Sequence, residues 1–113
     1  MDEEGMDQIY QLRAQVLKAM AHPARLKMID ALVEEEICVC DLAELVDLAV
    51  PTVSRHLKKM KAAGIVDTRK DGNHVYYHLE VPCVIGVFEC IDDVLRADDE
   101  QLRQMCRMLD GSS

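Results

Sequence analysis

The sequence predicts a mainly α-helical chain carrying one small β-hairpin. Three observations predict it. Apolar residues recur every three to four positions through most of the chain, the period shortens to two across residues 65–79, and Asp71-Gly72-Asn73 divides that short-period stretch in half.

Helix 1 is expected over residues 7–20, where Ile9, Leu12, Val16 and Met20 share one face. Ala21-His22-Pro23 breaks it, and Pro23 suits the first turn of helix 2, whose inward face reads as Leu26, Ile29 and Val33. Glu34, Glu35 and Glu36 end that helix in water. Helix 3 is expected from Cys40 to Val46, followed by a turn at Asp47-Leu48-Ala49. Helix 4 opens at Pro51, turns Val53, Leu57 and Met60 inward, and stops at Gly64.

Residues 65–70 and 74–79 then read as two strands, joined by a turn in which Gly tolerates positive φ. Helix 5 is expected to open at Pro82 with a stripe of Val84, Val87, Phe88, Ile91, Val94 and Leu95. Asp98, Asp99 and Glu100 give helix 6 an acidic first turn, and Leu102, Met105, Cys106 and Leu109 form its stripe. A turn, a proline-opened helix with a basic outer face and a Gly-tipped hairpin, in that order, predict a winged helix-turn-helix. The helix-turn-helix falls at residues 40–63 and the wing at residues 65–79, within a single domain spanning residues 1–113. Residues 7–20 and 81–109 are expected to be dimerisation helices, because their apolar faces exceed what one small domain can cover.

Composition narrows the function classes. Half of the 113 residues are apolar, aromatics make up only 4%, and Trp is absent, so the core must be aliphatic. The five cysteines are an odd number, no secretory leader is expected before them, and no apolar run approaches the ~20 residues of a membrane span. A reducing cytoplasm is the expected compartment, with no membrane partner. The net charge of −8 is unevenly spread. Residues 1–49 carry eleven acids against four bases, and residues 80–113 carry eight against three, whereas residues 50–79 carry six bases against two acids. Phosphate binding needs a local positive face rather than a positive protein. There is no phosphate-cradling glycine loop, nucleophile–base constellation or catalytic metal triad, so an enzyme is not expected. His22, His56, His74 and His78 are scattered over separate elements.

The basic segment supplies the candidate DNA contacts. On helix 4, Thr52, Ser54, Arg55, His56 and Lys59 lie near the N-terminal half or on the outer surface, suited to base edges and phosphates. Lys58 is read as a phosphate or solvent contact, and Arg69, Lys70, Asn73 and His74 as wing residues that could reach flanking phosphates. The expected partners are double-stranded operator DNA and a second copy of the chain, and DNA binding is expected to need no cofactor.

Cys38 and Cys40 stand at the entrance of helix 3, directly before the DNA-reading helix, where two sulfurs can reach one ion. Soft thiolates select thiophilic ions. Two sulfurs suit As(III) or Sb(III), whereas Cd(II) or Pb(II) needs more ligands. Cys83, Cys90 and Cys106 are candidates for completing the site, and Cys83 and Cys90, seven apart, are placed on one face of helix 5.

These residues resemble the ArsR/SmtB metalloregulatory repressors. The resemblance rests on residues 19–26 (Ala-Met-Ala-His-Pro-Ala-Arg-Leu), 38–43 (Cys-Val-Cys-Asp-Leu-Ala), 52–57 (Thr-Val-Ser-Arg-His-Leu), 63–66 and 72–79, in the family's order and spacing. It implies a homodimeric winged-helix repressor that leaves its operator when an ion or oxidant binds. The family's helix-5 zinc site uses Asp and His, and residues 80–113 contain no His. Its helix-3 thiolate site matches at Cys38 and Cys40. Ala43 stands where the arsenic-sensing form has a third cysteine, and residues 1–37 lack the N-terminal cysteines of the cadmium- and lead-sensing form. The match is two ligands of three or four, so the resemblance leaves the ion open; the chemistry of two thiolates favours As(III)/Sb(III) as inducer, with Cd(II)/Pb(II) response or thiol redox and persulfide sensing as alternatives.

Overall fold

Prolines, glycines and one left-handed aspartate punctuate the chain into nine elements, seen in a computed structural model that describes residues 3–98 and 100–109. They are α1 (Glu3–Met20), α2 (Pro23–Leu32), β1 (Ile37–Cys38), α3 (Val39–Val46), α4 (Val50–Ala62), β2 (Val66–Asp71), β3 (His74–Leu79), α5 (Val84–Asp98) and α6 (Glu100–Leu109). Two compact units divide the chain, Met1–Val81 and Pro82–Ser113, and each is described by itself.

In the first unit, α2 begins where His22 holds extended backbone and its Nδ1 accepts from the Ala24 N–H at 3.1 Å, with Pro23 in the first turn. The α3–α4 turn rests on Asp47, whose φ of 55° is the left-handed cap that lets Leu48 N–H reach Ala43 O at 3.1 Å. Gly64, at φ 82°, ends α4 and releases Ile65 toward the sheet. Met28, Ile29, Leu42, Val53, Leu57, Met60, Ile65 and Val66 are fully buried and make the aliphatic core, with α3 packed on α4 beneath them.

The mainly α, winged helix-turn-helix prediction holds, with several differences. The sheet has three strands in the order β1-β3-β2, not two. Ile37 and Cys38 pair antiparallel with Tyr77 and Tyr76, so the residues just before α3 are laddered to the wing. A two-residue strand has no period of its own, and its partner lies far along the chain. The wing itself is in the expected register, with Asp71 opposite His74 and the positive φ of Gly72 in the two-residue loop. Ile65 precedes β2 and its carbonyl accepts from Glu80 N–H at 2.9 Å. Helix 1 begins at Glu3 rather than residue 7, because Met6 continues its period by one more turn. On α2 the buried face is Met28, Ile29 and Leu32, and Leu26 and Val33 are exposed on its flanks. Helix 3 begins at Val39, which leaves Cys38 as its cap.

The second unit is the α5–α6 pair, packed on each other. Its first helix begins at Val84 instead of Pro82, after a turn in which Ile85 and Gly86 N–H groups reach the Pro82 and Cys83 carbonyls. Proline cannot donate and sits naturally in that turn. Cys83 therefore precedes the helix and does not share a helical face with Cys90. The expected first-turn residue Asp99 lies outside the described residues.

Candidate DNA-reading surface and thiol site

The roll of α4 is fixed by its buried side. Val53, Leu57 and Met60 have no exposure, so Arg55, Lys58 and Lys59 project into solvent while Thr52, Ser54 and His56 are half-buried on the shoulders. Arg55 Nη2 donates to Thr52 Oγ1 at 3.3 Å, which leaves most of the guanidinium fork free. Ala49 caps α4 without a side-chain acceptor. The first-turn N–H groups and the helix dipole therefore suit an anionic oxygen such as a DNA phosphate.

His56 is held from below. Arg25 Nε donates to its Nδ1 at 2.9 Å, and the His22 ring lies 4.5 Å away, centroid to centroid. Nδ1 is thus an acceptor and the proton belongs on Nε2. Burial, then Arg25, His22, Lys59 and Arg55, lower the pKa of His56 from 6.5 and keep the ring neutral. Arg25 also donates to Ala19 O at 3.3 Å, so it ties the end of α1 to α4 through α2. His22 and His56 lie on different elements, as expected, but their rings meet, whereas His74 and His78 share β3 rather than standing on separate elements.

On the wing, Arg69, Lys70, Asn73 and His74 are all exposed. Arg69 is engaged rather than free. Its Nε donates to Glu36 Oε2 at 2.8 Å, and its guanidinium lies 5.1 Å over the Tyr76 ring. The hydrogen bond and charge of Glu36 raise its pKa. Glu36 precedes β1, so the wing arginine is tied to the chain that carries the thiols.

Cys38 is half-buried and caps α3 with φ −77° and ψ 159°, and its side chain makes no capping hydrogen bond. Cys40 is exposed in the first turn of α3. One sulfur therefore belongs to the sheet, opposite Tyr76, and the other to the helix packed against α4. Two thiols so placed fit a thiophilic ion by donor chemistry. Among the described residues, no group of three His, Cys, Asp or Glu donors within 4.8 Å of one another includes a cysteine. Cys83 and Cys90 are exposed and Cys106 is buried, all three in the second unit. Cys106 fits the behaviour of a small core residue.

Sequence reasoning missed Arg25, Glu36 and Tyr76, the residues that support the candidate DNA-reading side chains His56 and Arg69. Arg25 and Glu36 reach partners 31 and 33 positions away, which no local signal reveals. No described helix is long and apolar enough to cross a membrane.

The family described as "Bacterial regulatory protein, arsR family" matches residues 22–68. The chain is 42% identical over 73 residues to the cadmium resistance transcriptional regulatory protein CadC of Listeria innocua, covering 64% of this chain and 61% of that protein. It thus spans about three fifths of that regulator's length. It is 33% identical over 99 residues to the arsenical resistance operon repressor of Escherichia coli, covering 87% of this chain and 85% of the repressor. Among solved structures, the homodimeric winged helix-turn-helix DNA-binding domain of a possible ArsR-family regulator from Mycobacterium bovis superposes with a TM-score of 0.73. That match is 25% identical and covers 82% of this chain and 88% of the other. The first of these relatives is a transcriptional regulatory protein, the second an operon repressor and the third a DNA-binding domain.

Proposed function

The chain belongs to the arsR family of bacterial regulatory proteins, and on that premise we propose that it is a homodimeric repressor released from operator DNA by a thiophilic ion at Cys38 and Cys40. As(III) or Sb(III) is the preferred inducer, because a two-thiolate donor pair suits ions that tolerate few sulfur ligands. The observation that carries the reading is the position of the two sulfurs. Cys38 is laddered to Tyr76 of the wing, and Cys40 opens the helix that packs on α4.

The mechanism follows from that straddle. In the DNA-bound dimer, Arg55, Lys58 and Lys59 face the major groove and flanking phosphates, while Lys70, Asn73 and His74 of the wing reach the backbone beside it. Cys38 and Cys40, drawn onto one ion, change the angle between β1 and α3. Leu42 and Ala43, both buried on α3, pass that change to α4, and Tyr76 passes it to Arg69 and the wing. The recognition helices of the two copies then lose operator spacing. Ion affinity that differs between the two arrangements by ~1–3 kcal/mol lowers DNA affinity about 5–150-fold. The second copy covers the apolar residues that α1 and α5 leave in solvent, among them Leu12, Val16, Ile91 and Val94. It also supplies the route by which a further cysteine joins the pair.

A cadmium- or lead-responsive repressor is the second reading, favoured by the 42% identity to the Listeria cadmium regulator. The test is fluorescence anisotropy of DNA upstream of the chain's own gene, challenged in turn with As(III), Sb(III), Cd(II), Pb(II) and persulfide. Release by As(III) or Sb(III) at the lowest concentration is the expected result. First release by Cd(II) or Pb(II) favours the second reading, and release by persulfide alone identifies a redox sensor. Failure to prefer any duplex refutes DNA regulation altogether.

A further inference from the structure

We propose that the root of the wing is a second, sulfur-free cation site, in which Asp67, His78 and Glu80 hold a divalent first-row ion such as zinc(II). Asp67 and His78 are direct register partners on β2 and β3, so their side chains leave the same face of the sheet. Glu80 stands two residues after His78, just past the end of β3, with its carboxylate against the His78 ring. One donor atom from each lies within 4.8 Å of the other two, and His78 Nε2 is 2.6 Å from Glu80 Oε1. Tetrahedral coordination at 2.0–2.1 Å separates ligand atoms by ~3.4 Å, so closing the cluster on an ion takes small rotations of two exposed carboxylates.

The donor set decides the ion. One imidazole and two carboxylates are borderline-to-hard ligands, which suit zinc and its first-row neighbours and offer a thiophilic trivalent ion nothing. A dication also answers the charge. Asp67 and Glu80 add two negative charges here, with Lys61 Nζ 3.9 Å from Asp67 and its own hydrogen bond going to Thr68 Oγ1. Thr68 N–H donates to Asp67 Oδ1 at 2.8 Å and fixes the orientation of that carboxylate.

An independent observation lies on the far side of the imidazole. Among the described residues, His78 Nδ1 is a buried atom without a hydrogen-bond partner, and Glu36 Oε1 stands 4.0 Å from it. With Nε2 bound to an ion, Nδ1 carries the proton, and Glu36 becomes the outer carboxylate that orients a metal-bound histidine. Glu36 also holds Arg69, so occupancy of this site bears on the wing arginine without involving either thiol.

The experiment uses the full chain carrying Cys38→Ser and Cys40→Ser. Equilibrium dialysis is run with zinc(II), and absorption is recorded with cobalt(II) as a spectroscopic stand-in. The expected result is one ion per chain, a cobalt spectrum with ligand-field bands and no sulfur charge-transfer band, and affinity reduced at least ~tenfold by His78→Ala or Glu80→Gln. His74→Ala, on the same strand, should leave affinity unchanged. Circular dichroism checks that each variant is folded, and Glu80→Gln, outside the ladder, carries the test if His78→Ala unfolds the sheet. A sulfur band, or zinc affinity indifferent to both substitutions, overturns the proposal.

Discussion

Replacing Arg55 by alanine separates base reading from phosphate binding on α4. Arg55 is exposed, and among the described residues its side chain bonds Thr52 Oγ1 at 3.3 Å, so turning toward a guanine costs about 0.5–1 kcal/mol. A bidentate guanine contact contributes about 1–3 kcal/mol of discrimination. The difference is about 0.5–2 kcal/mol per half-site, so Arg55→Ala should weaken operator binding roughly 2–30-fold per half-site and unrelated DNA far less. Lys58→Ala should behave otherwise. Its exposed ammonium is a point charge, and its loss should weaken both DNAs alike while lowering the salt slope by ~0.9 per phosphate contact. The assay is anisotropy on operator and scrambled duplexes over a salt series. Equal weakening of both duplexes by Arg55→Ala, with a drop in slope, refutes the base-reading role.

Three further outcomes follow from the same structure. Leu57→Ala, at a position without exposure, should destabilise the chain by about 2–5 kcal/mol in urea unfolding, and a change below about 1 kcal/mol contradicts the packing described. Burial and Arg25 hold His56 neutral in the folded chain, whereas an unfolded chain begins to take up that proton near pH 6.5. Stability should therefore fall as pH drops from 6.5 toward the lower folded value and then level off. His56→Gln should flatten that part of the pH profile, and an unchanged profile removes His56 as its cause. Leu12→Glu on α1 or Ile91→Glu on α5 places a charge on an exposed apolar face, and sedimentation should show a shift from dimer to monomer with loss of operator binding. A dimer that survives both substitutions assigns the interface elsewhere.

Much of this was legible because the informative residues are close together in the chain. Val53, Leu57 and Met60 announce the inward face of α4, and that face dictates which basic residues point outward. Gly72 between two period-two runs announces the wing. The inward face of α2 was misread because apolar residues at Leu26, Met28, Ile29, Leu32 and Val33 surround much of that short helix, and only its neighbours select Met28, Ile29 and Leu32. β1 was illegible, since two residues carry no period and their partners are Tyr76 and Tyr77. The same holds for the supports of the site. Glu36 with Arg69, Arg25 with His56, and Asp67 with His78 are brought together by register and packing. Cys38 and Cys40, one residue apart before the candidate DNA-reading helix, pointed to a sensor, but only the ladder shows that Cys38 is paired with Tyr76 of the wing.

The most direct measurement titrates arsenite into operator complexes of the unaltered chain and of Cys38→Ser/Cys40→Ser, reading anisotropy with both proteins shown to be folded and dimeric. The unaltered chain should leave the duplex, with affinity lowered at least ~fivefold, while the serine variant stays bound at every concentration that releases the other. Equal release of both would show that the two sulfurs do not control the DNA-reading elements they join.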